Sequence, residues 1–171
     1  MPEMSKPPRL PPAPDFMRAA RASDHAAIDS LLRAAFPTPA EVALVQALRH
    51  AGALEMEMVL PDETALAGYL ALSRMQAPAG WLCLAPLAIA PQWQGRGLGR
   101  RLTKAALKLT GIKGQTVTVL GNPDFYSRCG FSQSRAARLT SPYPVAHTLI
   151  AGPGEDAPET TLIYPAAFAE L

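Results

Sequence analysis

Residues 94–99 read Gln94-Gly95-Arg96-Gly97-Leu98-Gly99, and Arg100 and Arg101 follow at once. Glycines at this spacing let backbone N–H groups approach an anion closely and take up positive φ where a turn needs it. An apolar run, Trp81–Ala90, precedes the loop, and Leu98, Leu102, Ala105 and Leu109 recur after it at helical spacing. A strand that ends in such a loop and opens a helix presents free N–H groups and the positive end of a helix dipole. The charge pattern agrees. From Thr64 to Pro123 there is no Asp or Glu, while Arg74, Arg96, Arg100, Arg101, Lys104, Lys108 and Lys113 all fall there. One sign of charge around a glycine loop suits a polyphosphate.

Two phosphate motifs are excluded. A Walker loop needs Gly-Lys followed by Ser or Thr to hold terminal phosphates and magnesium, and that element is missing. A dinucleotide fingerprint needs an acid about 20 residues downstream for the ribose, yet no acid occurs before Asp124. The polar helix face of Arg101, Lys104 and Lys108 lacks the aromatic platforms of a nucleic-acid surface, and a net charge of +2 does not call for one. Two cysteines, Cys83 and Cys129, have no metal-ligand spacing; no metal site and a reducing cytoplasm are expected. Pro86 and Pro91 interrupt the longest apolar run, so no membrane span is expected, and the N-terminus has no secretory core region.

The elements that must position the loop follow from periodicity. Residues 1–15 hold six of the 18 prolines and read as a flexible lead-in; residues 16–171 read as one domain. A short strand is expected over Phe16–Arg21. Ser23 then caps a helix carrying Ile28, Leu31, Leu32 and Ala35. Thr38, Pro39 and Glu41 form a capping-box pattern before a second helix with Leu44, Val45 and Leu48, which stops at Gly52. Leu54, Met56, Met58 and Leu60 alternate with Glu55 and Glu57 as a half-buried strand, which pairs in a hairpin with Thr64–Ser73. Trp81–Ala90 reads as a central strand and Gln115–Leu120 as another. A turn and short helix over Gly121–Gly130 come next, then strands over Val145–Ala151 and Thr160–Tyr164. The order describes an α/β domain of the α+β kind, with a mixed, mostly antiparallel sheet flanked by helices.

Gln94–Gly99 resembles the Q-x-x-G-x-G signature of the GNAT superfamily of N-acetyltransferases, in which that loop grips the pyrophosphate of acetyl-CoA. Gly68–Ser73 resembles the family's third strand, and Pro86–Gly99 its fourth strand and loop. Val119–Phe131 resembles the segment after its fifth strand, and Glu41–Arg49 and Thr161–Phe168 resemble a group of small bacterial members. The resemblance spans Phe16–Phe168 and implies a fourth strand bulged near Pro86 and splayed from the fifth, leaving a slot for pantetheine. It further implies that the backbone of Leu87, Ala88 and Ile89 pairs with pantetheine, and that one N–H polarises the thioester carbonyl. Gln94, Gly95, Arg96, Gly97, Leu98 and Gly99 would cradle the pyrophosphate, with Arg100 or Arg101 adding charge. Asn122 would meet the pantetheine amide. Tyr126 matches the family's general acid, a role suited to a phenol that stays protonated at neutral pH beside a departing thiolate.

The expected activity is direct transfer of acetyl from acetyl-CoA to an amine, with a small-molecule amine the first choice of acceptor and a protein amine the second. A non-catalytic acyl-CoA sensor or assembly module is the alternative, because Trp81–Ala90 lacks the acid that members often carry there as general base. Glu41, Glu55, Glu57 and His50 are the nearby substitutes; His147 lies in a late strand, and Cys129 has no partner base for an acyl-cysteine route. The loops Phe36–Thr38 and Ser141–Val145 are expected to shape the acceptor pocket, and an apolar final strand would make a homodimer unsurprising.

Overall fold

The computed structural model describes residues 11–170, so residues 1–10 of the proline-rich lead-in lie outside the described residues. Six strands form one sheet in chain order: β1 (Arg18–Ala19), β2 (Leu54–Pro61), β3 (Leu66–Arg74), β4 (Leu82–Ile89), β5 (Val117–Leu120) and β6 (Thr148–Ala151). Every neighbouring pair is antiparallel except β4 and β5, which run parallel and therefore need a crossover. That crossover holds the glycine loop and α3 (Leu98–Ile112). Two helices, α1 (His25–Ala35) and α2 (Ala40–His50), precede the hairpin, and α4 (Pro123–Cys129) follows β5.

Alternation along β3 sets the two layers. Gly68 meets α3: a Cβ there would lie 2.7 Å from Leu102 Cδ1, so the missing side chain is what lets the helix sit down on the sheet. Tyr69, one residue on, projects to the other face, where its hydroxyl donates to Glu57 Oε1 at 2.7 Å. Arg49 Nη2 of α2 donates to the same oxygen at 2.7 Å. Ile28, Leu31 and Leu32 of α1 join Leu70, Leu72, Leu84, Leu98 and Leu102 in the main core, all buried. A second cluster gathers Leu44 and Leu48 with Cys83, Ile150, Leu162, Tyr164 and Phe168, which anchors the C-terminal segment beside α2.

Several local expectations need correction. The first strand is only Arg18–Ala19, because Asp24 ends it. Its carboxylate takes the Arg21 N–H at 2.7 Å and pairs with Arg18 at 2.6 Å, and those bonds hold it well below the usual carboxylate range. Asp24, not Ser23, therefore organises the start of α1. The capping box at Thr38–Glu41 does not close: Thr38 Oγ1 reaches only the Ala40 N–H at 3.4 Å, and the Glu41 carboxylate turns elsewhere. Glu57 is not on a solvent face but is the shared acceptor for Arg49 and Tyr69. Thr160–Tyr164 is no strand of the sheet; Thr161 and Ile163 make isolated bridges to Thr140 and Ala77. A five-residue alternating run cannot choose its partner, and here loop backbones took it.

The Glu57 arrangement should carry stability that its exposed neighbour does not. Glu57→Ala is expected to cost about 2 kcal/mol by orphaning the buried Tyr69 hydroxyl and the half-buried Arg49 guanidinium, a drop in Tm of roughly 4–8 °C. Glu55 pairs with a half-exposed Arg74, so Glu55→Ala should stay within about 0.5 kcal/mol. Thermal unfolding of both variants measures the contrast, and equal losses would refute it.

Candidate active site

The site begins where β4 leaves β5. Pairing holds from Leu82–Val117 to Leu84–Val119 and then stops, although β4 continues to Ile89. On the other side of β4 the register against β3 slips between Leu70–Leu87 and Leu72–Leu84, so Ala85 and Pro86 together oppose one residue. That is a β-bulge at the position expected from Pro86, which has no N–H to give a ladder. Beyond the bulge one edge of β4 is open.

Alternation decides which residues use that edge. Ala90 N–H donates to Ala67 O in β3, so Ala88, two residues back, also directs its backbone to β3. Leu87 and Ile89 turn theirs to the open edge, and Ile89 O accepts from the Gln94 side chain at 3.0 Å. Ala88 itself is buried against the core and does not line the groove.

That groove, about 340 Å³, brings together Leu87, Ile89, Gln94, Gly95, Gly97, Leu98, Gly99 and Arg100 from the expected set. Gly95 and Gly97 have φ of 76° and 78°, left-handed values that favour glycine, and Gly97 is the residue on which α3 starts. From Gly95 to Arg100, six consecutive backbone N–H groups find no backbone acceptor among the described residues. Together with the helix dipole they form a cradle for an anion. Arg100 lines this groove, whereas Arg96 stacks 5.0 Å from the Trp93 ring centroid and donates to Pro11 O, and Arg101 donates to Pro14 O. Of the three arginines, Arg100 is the one that lines this groove. Asn122 caps α4, accepting from the Asp124 and Phe125 N–H groups, so its side-chain oxygen serves a helix terminus.

A second cavity of about 360 Å³ lies on the other side of Leu87, which lines both. Tyr126 lines it, and the Tyr126 ring packs edge-on against Phe125 of the groove with centroids 4.9 Å apart. Gly121 makes room for that ring: a Cβ there would fall 2.6 Å from Tyr126 Cε2. Burial pushes the Tyr126 phenol up to about 12, so it remains a proton donor across the physiological range. Phe36 and Tyr143 reach the same cavity from the two loops expected to shape it.

The rest of this wall comes from further along the chain and from α2. Tyr164 ends the run expected to be a strand and Phe168 lies beyond it, and sequence reasoning placed neither here; Glu41, one of the acids named as a substitute base, comes from the open capping box. Glu41 Oε2 and Tyr164 Oη are both buried without a hydrogen-bond partner among the described residues. The only signal in the chain was an acid at the start of α2 followed, 123 positions later, by an aromatic pair in Tyr164 and Phe168. No spacing rule joins them. Burial raises the thiol of Cys83 to about 12 and also raises that of Cys129, leaving both poor nucleophiles.

Residues 54–133 match the model of the GNAT acetyltransferase domain. The chain is 36% identical over 126 residues to YhbS, an uncharacterized N-acetyltransferase of Escherichia coli K12, covering 71% of this chain and 75% of that protein. This chain belongs to the GNAT family. It is an N-acetyltransferase by that membership, with the six-stranded GNAT sheet. The crystal structure of E. coli YhbS in complex with CoA superposes with a TM-score of 0.84 at 30% identity, covering 94% of this chain and 95% of that one. A GNAT acetyltransferase from Brucella melitensis in complex with acetyl-CoA gives a TM-score of 0.75 at 29% identity, with coverages of 90% and 97%. The ribosomal-protein-S18-alanine N-acetyltransferase of E. coli, at 17% identity, shares the fold alone.

Two outcomes test this geometry. Tyr126→Phe, compared with wild type by ultraviolet titration, should show no tyrosinate missing below about pH 11, because a phenol raised from about 10 to about 12 stays neutral there. Since its unfolded counterpart ionises from about pH 10, its contribution to stability should be intact below pH 10 and lost as pH climbs toward 12. A tyrosinate signal from Tyr126 near pH 10 would overturn the burial.

Proposed function

We propose that this chain binds acetyl-CoA along the open edge of β4 and transfers its acetyl group directly to an amine, most naturally that of a small molecule. The observation that supports this reading best is the sharing of Leu87 by the anion-binding groove and the aromatic cavity. One wall can then serve donor and acceptor at once, as direct transfer requires. Acetyl-CoA would supply an activated carbonyl and a thiolate leaving group. The N–H groups of Gly95–Arg100 would hold the pyrophosphate, with Arg100 adding charge, while the edge groups of Leu87 and Ile89 would align the pantetheine arm. Leu87 N–H, on that open edge, would polarise the carbonyl, and Tyr126 would give the departing sulfur its proton.

The relatives crystallised with CoA and acetyl-CoA support the donor assignment, and they say nothing of the acceptor. A small molecule is favoured over a protein amine because the second cavity is compact, about 360 Å³, and lined mainly by apolar and aromatic side chains. A cytoplasmic setting belongs to the same reading, supported by two buried free thiols. Tyr126→Phe should lower kcat about 100-fold while leaving acetyl-CoA binding intact, the size expected for removing a general acid. CoA release and the thermal shift with acetyl-CoA, measured together, check both halves. Unchanged turnover would remove Tyr126 from its role, and no shift with acetyl-CoA would remove the donor.

A further inference from the structure

The acceptor cavity carries an unusual ratio of charge to aromatic surface. Its side chains include Phe36, Tyr126, Tyr143, Tyr164 and Phe168, and a single acidic side chain, Glu41. Among the described residues no Lys, Arg or His lines it, and the other titratable residues that do are the three tyrosines and Cys83. Tyr143 and Tyr164 meet edge-on at 4.9 Å, and Tyr164 tilts against Phe168 at 5.4 Å, so the rings form a continuous wall. Tyr143 Oη is engaged with Phe168 O. Glu41 Oε2 is buried and has no partner.

A buried carboxylate oxygen without a donor is expensive in a folded chain. Local structure had a use for this one, since the Thr38–Glu41 spacing suits a capping box, and the fold did not take it. Asp29 Oδ1 is orphaned in the same way, but Glu41 is the carboxylate residue that lines this cavity, so a donor bound there is the one that can reach its side chain. An ammonium group fits on both counts: it gives Glu41 its hydrogen bond and is attracted to the faces of the surrounding rings. The cavity holds one carboxylate, so a second or third positive charge on the ligand would be buried unpaired at a cost of several kcal/mol.

On the reading that this chain is an acetyl-CoA-dependent N-acetyltransferase, we propose that its acceptor is a compact monoamine with an apolar or aromatic body, bound and deprotonated by Glu41. The ammonium passes one proton to the Glu41 carboxylate, which later releases it to water. The freed nitrogen pair forms the N–C bond and the C–S bond breaks with its electrons on sulfur. As the amide forms, the second nitrogen proton passes through solvent to the Tyr126 phenolate, replacing the proton that Tyr126 gives to the departing thiolate, so one proton is released overall. The acid missing from β4 is thus replaced from α2, across the cavity.

The experiment is a rate comparison with purified full-length chain and acetyl-CoA, reading both CoA release and the acetylated product. The acceptors are an arylalkyl monoamine, a linear alkyl monoamine, spermidine and a lysine-containing peptide. The arylalkyl monoamine should exceed spermidine and the peptide at least tenfold in kcat/KM. Glu41→Gln should lower kcat/KM for it about 100-fold while the acetyl-CoA thermal shift stays unchanged, and Glu41→Asp should restore part of the loss. In Glu41→Gln the residual rate should climb about tenfold per pH unit toward the amine's own pKa near 10, because only free amine then reacts; the wild-type profile should be flatter. Preference for spermidine or the peptide, or Glu41→Gln with wild-type rate and pH profile, would overturn this inference and leave the acetyltransferase reading standing. If acetyl-CoA binds but no amine is acetylated, the acetyltransferase reading falls and takes the inference with it.

Discussion

The structure turns on a strand that loses its partner. β4 and β5 are parallel neighbours for three residue pairs and then part at Leu84 and Val119, just where Ala85 and Pro86 bulge against β3. A backbone edge left unpaired inside a fold demands a hydrogen-bonding partner, and an extended amide-bearing ligand can act as one. Everything chemical lies along that edge. The glycine loop begins five residues past its end, Leu87 forms the wall common to groove and cavity, and Tyr126 sits on the helix that follows the diverging strand. If β5 stayed paired with β4 to its end, neither pocket would have room.

The two pockets are built by opposite electrostatic means. The donor groove uses backbone: six successive N–H groups, a helix dipole and Arg100, all favouring negative charge. Only glycine at 95 and 97 permits the left-handed turns that bring those groups into line. The acceptor cavity uses side chains, with one carboxylate in an aromatic shell, and favours a single positive charge. A thioester carbonyl placed at Leu87 would therefore lie between an anion site and a cation site. That separation lets one small domain hold a polyphosphate and an amine without either competing for the other's place.

Buried polar groups divide by whether the fold satisfies them. Glu57 Oε1 accepts from both Arg49 and Tyr69 and ties α2 to the sheet, and Asp24 accepts from Arg18 and the Arg21 N–H. Those carboxylates stabilise. Glu41 Oε2 and Tyr164 Oη, on residues that line one cavity, have no partner among the described residues, a state shared by Asp29 Oδ1, Arg49 Nε and Ser73 Oγ. Functional sites are where such local rules are broken, because a group already satisfied by the protein has nothing to offer a ligand.

The donor half of this protein was legible in the sequence because it is local. Gln94–Gly99, the run of cations without an acid, and the proline at 86 lie within one strand–loop–helix unit, and short-range rules of glycine conformation and helix dipoles govern them. Tyr126 was legible too, as part of a short contiguous segment. What local rules could not decide is which residues meet across the chain. Thr38-Pro39-Ala40-Glu41 reads as a helix cap, and only the packing of α2 against the C-terminal segment turns Glu41 into a cavity wall. Alternation placed Glu57 on a solvent face, until Arg49 and Tyr69 closed over it. Tyr164 read as the end of a terminal strand, and with Phe168 it ends as a ring wall beside α2, held by side-chain packing rather than by a ladder. The amino-acid sequence thus carried the glycine loop and the expectations for Gln94–Arg100 and Tyr126, which rest on rules that act within a few residues. The loops of Phe36 and Tyr143 were anticipated beside the second cavity, but the wall of Glu41, Tyr164 and Phe168 was decided by tertiary structure, because packing joins segments more than 100 positions apart.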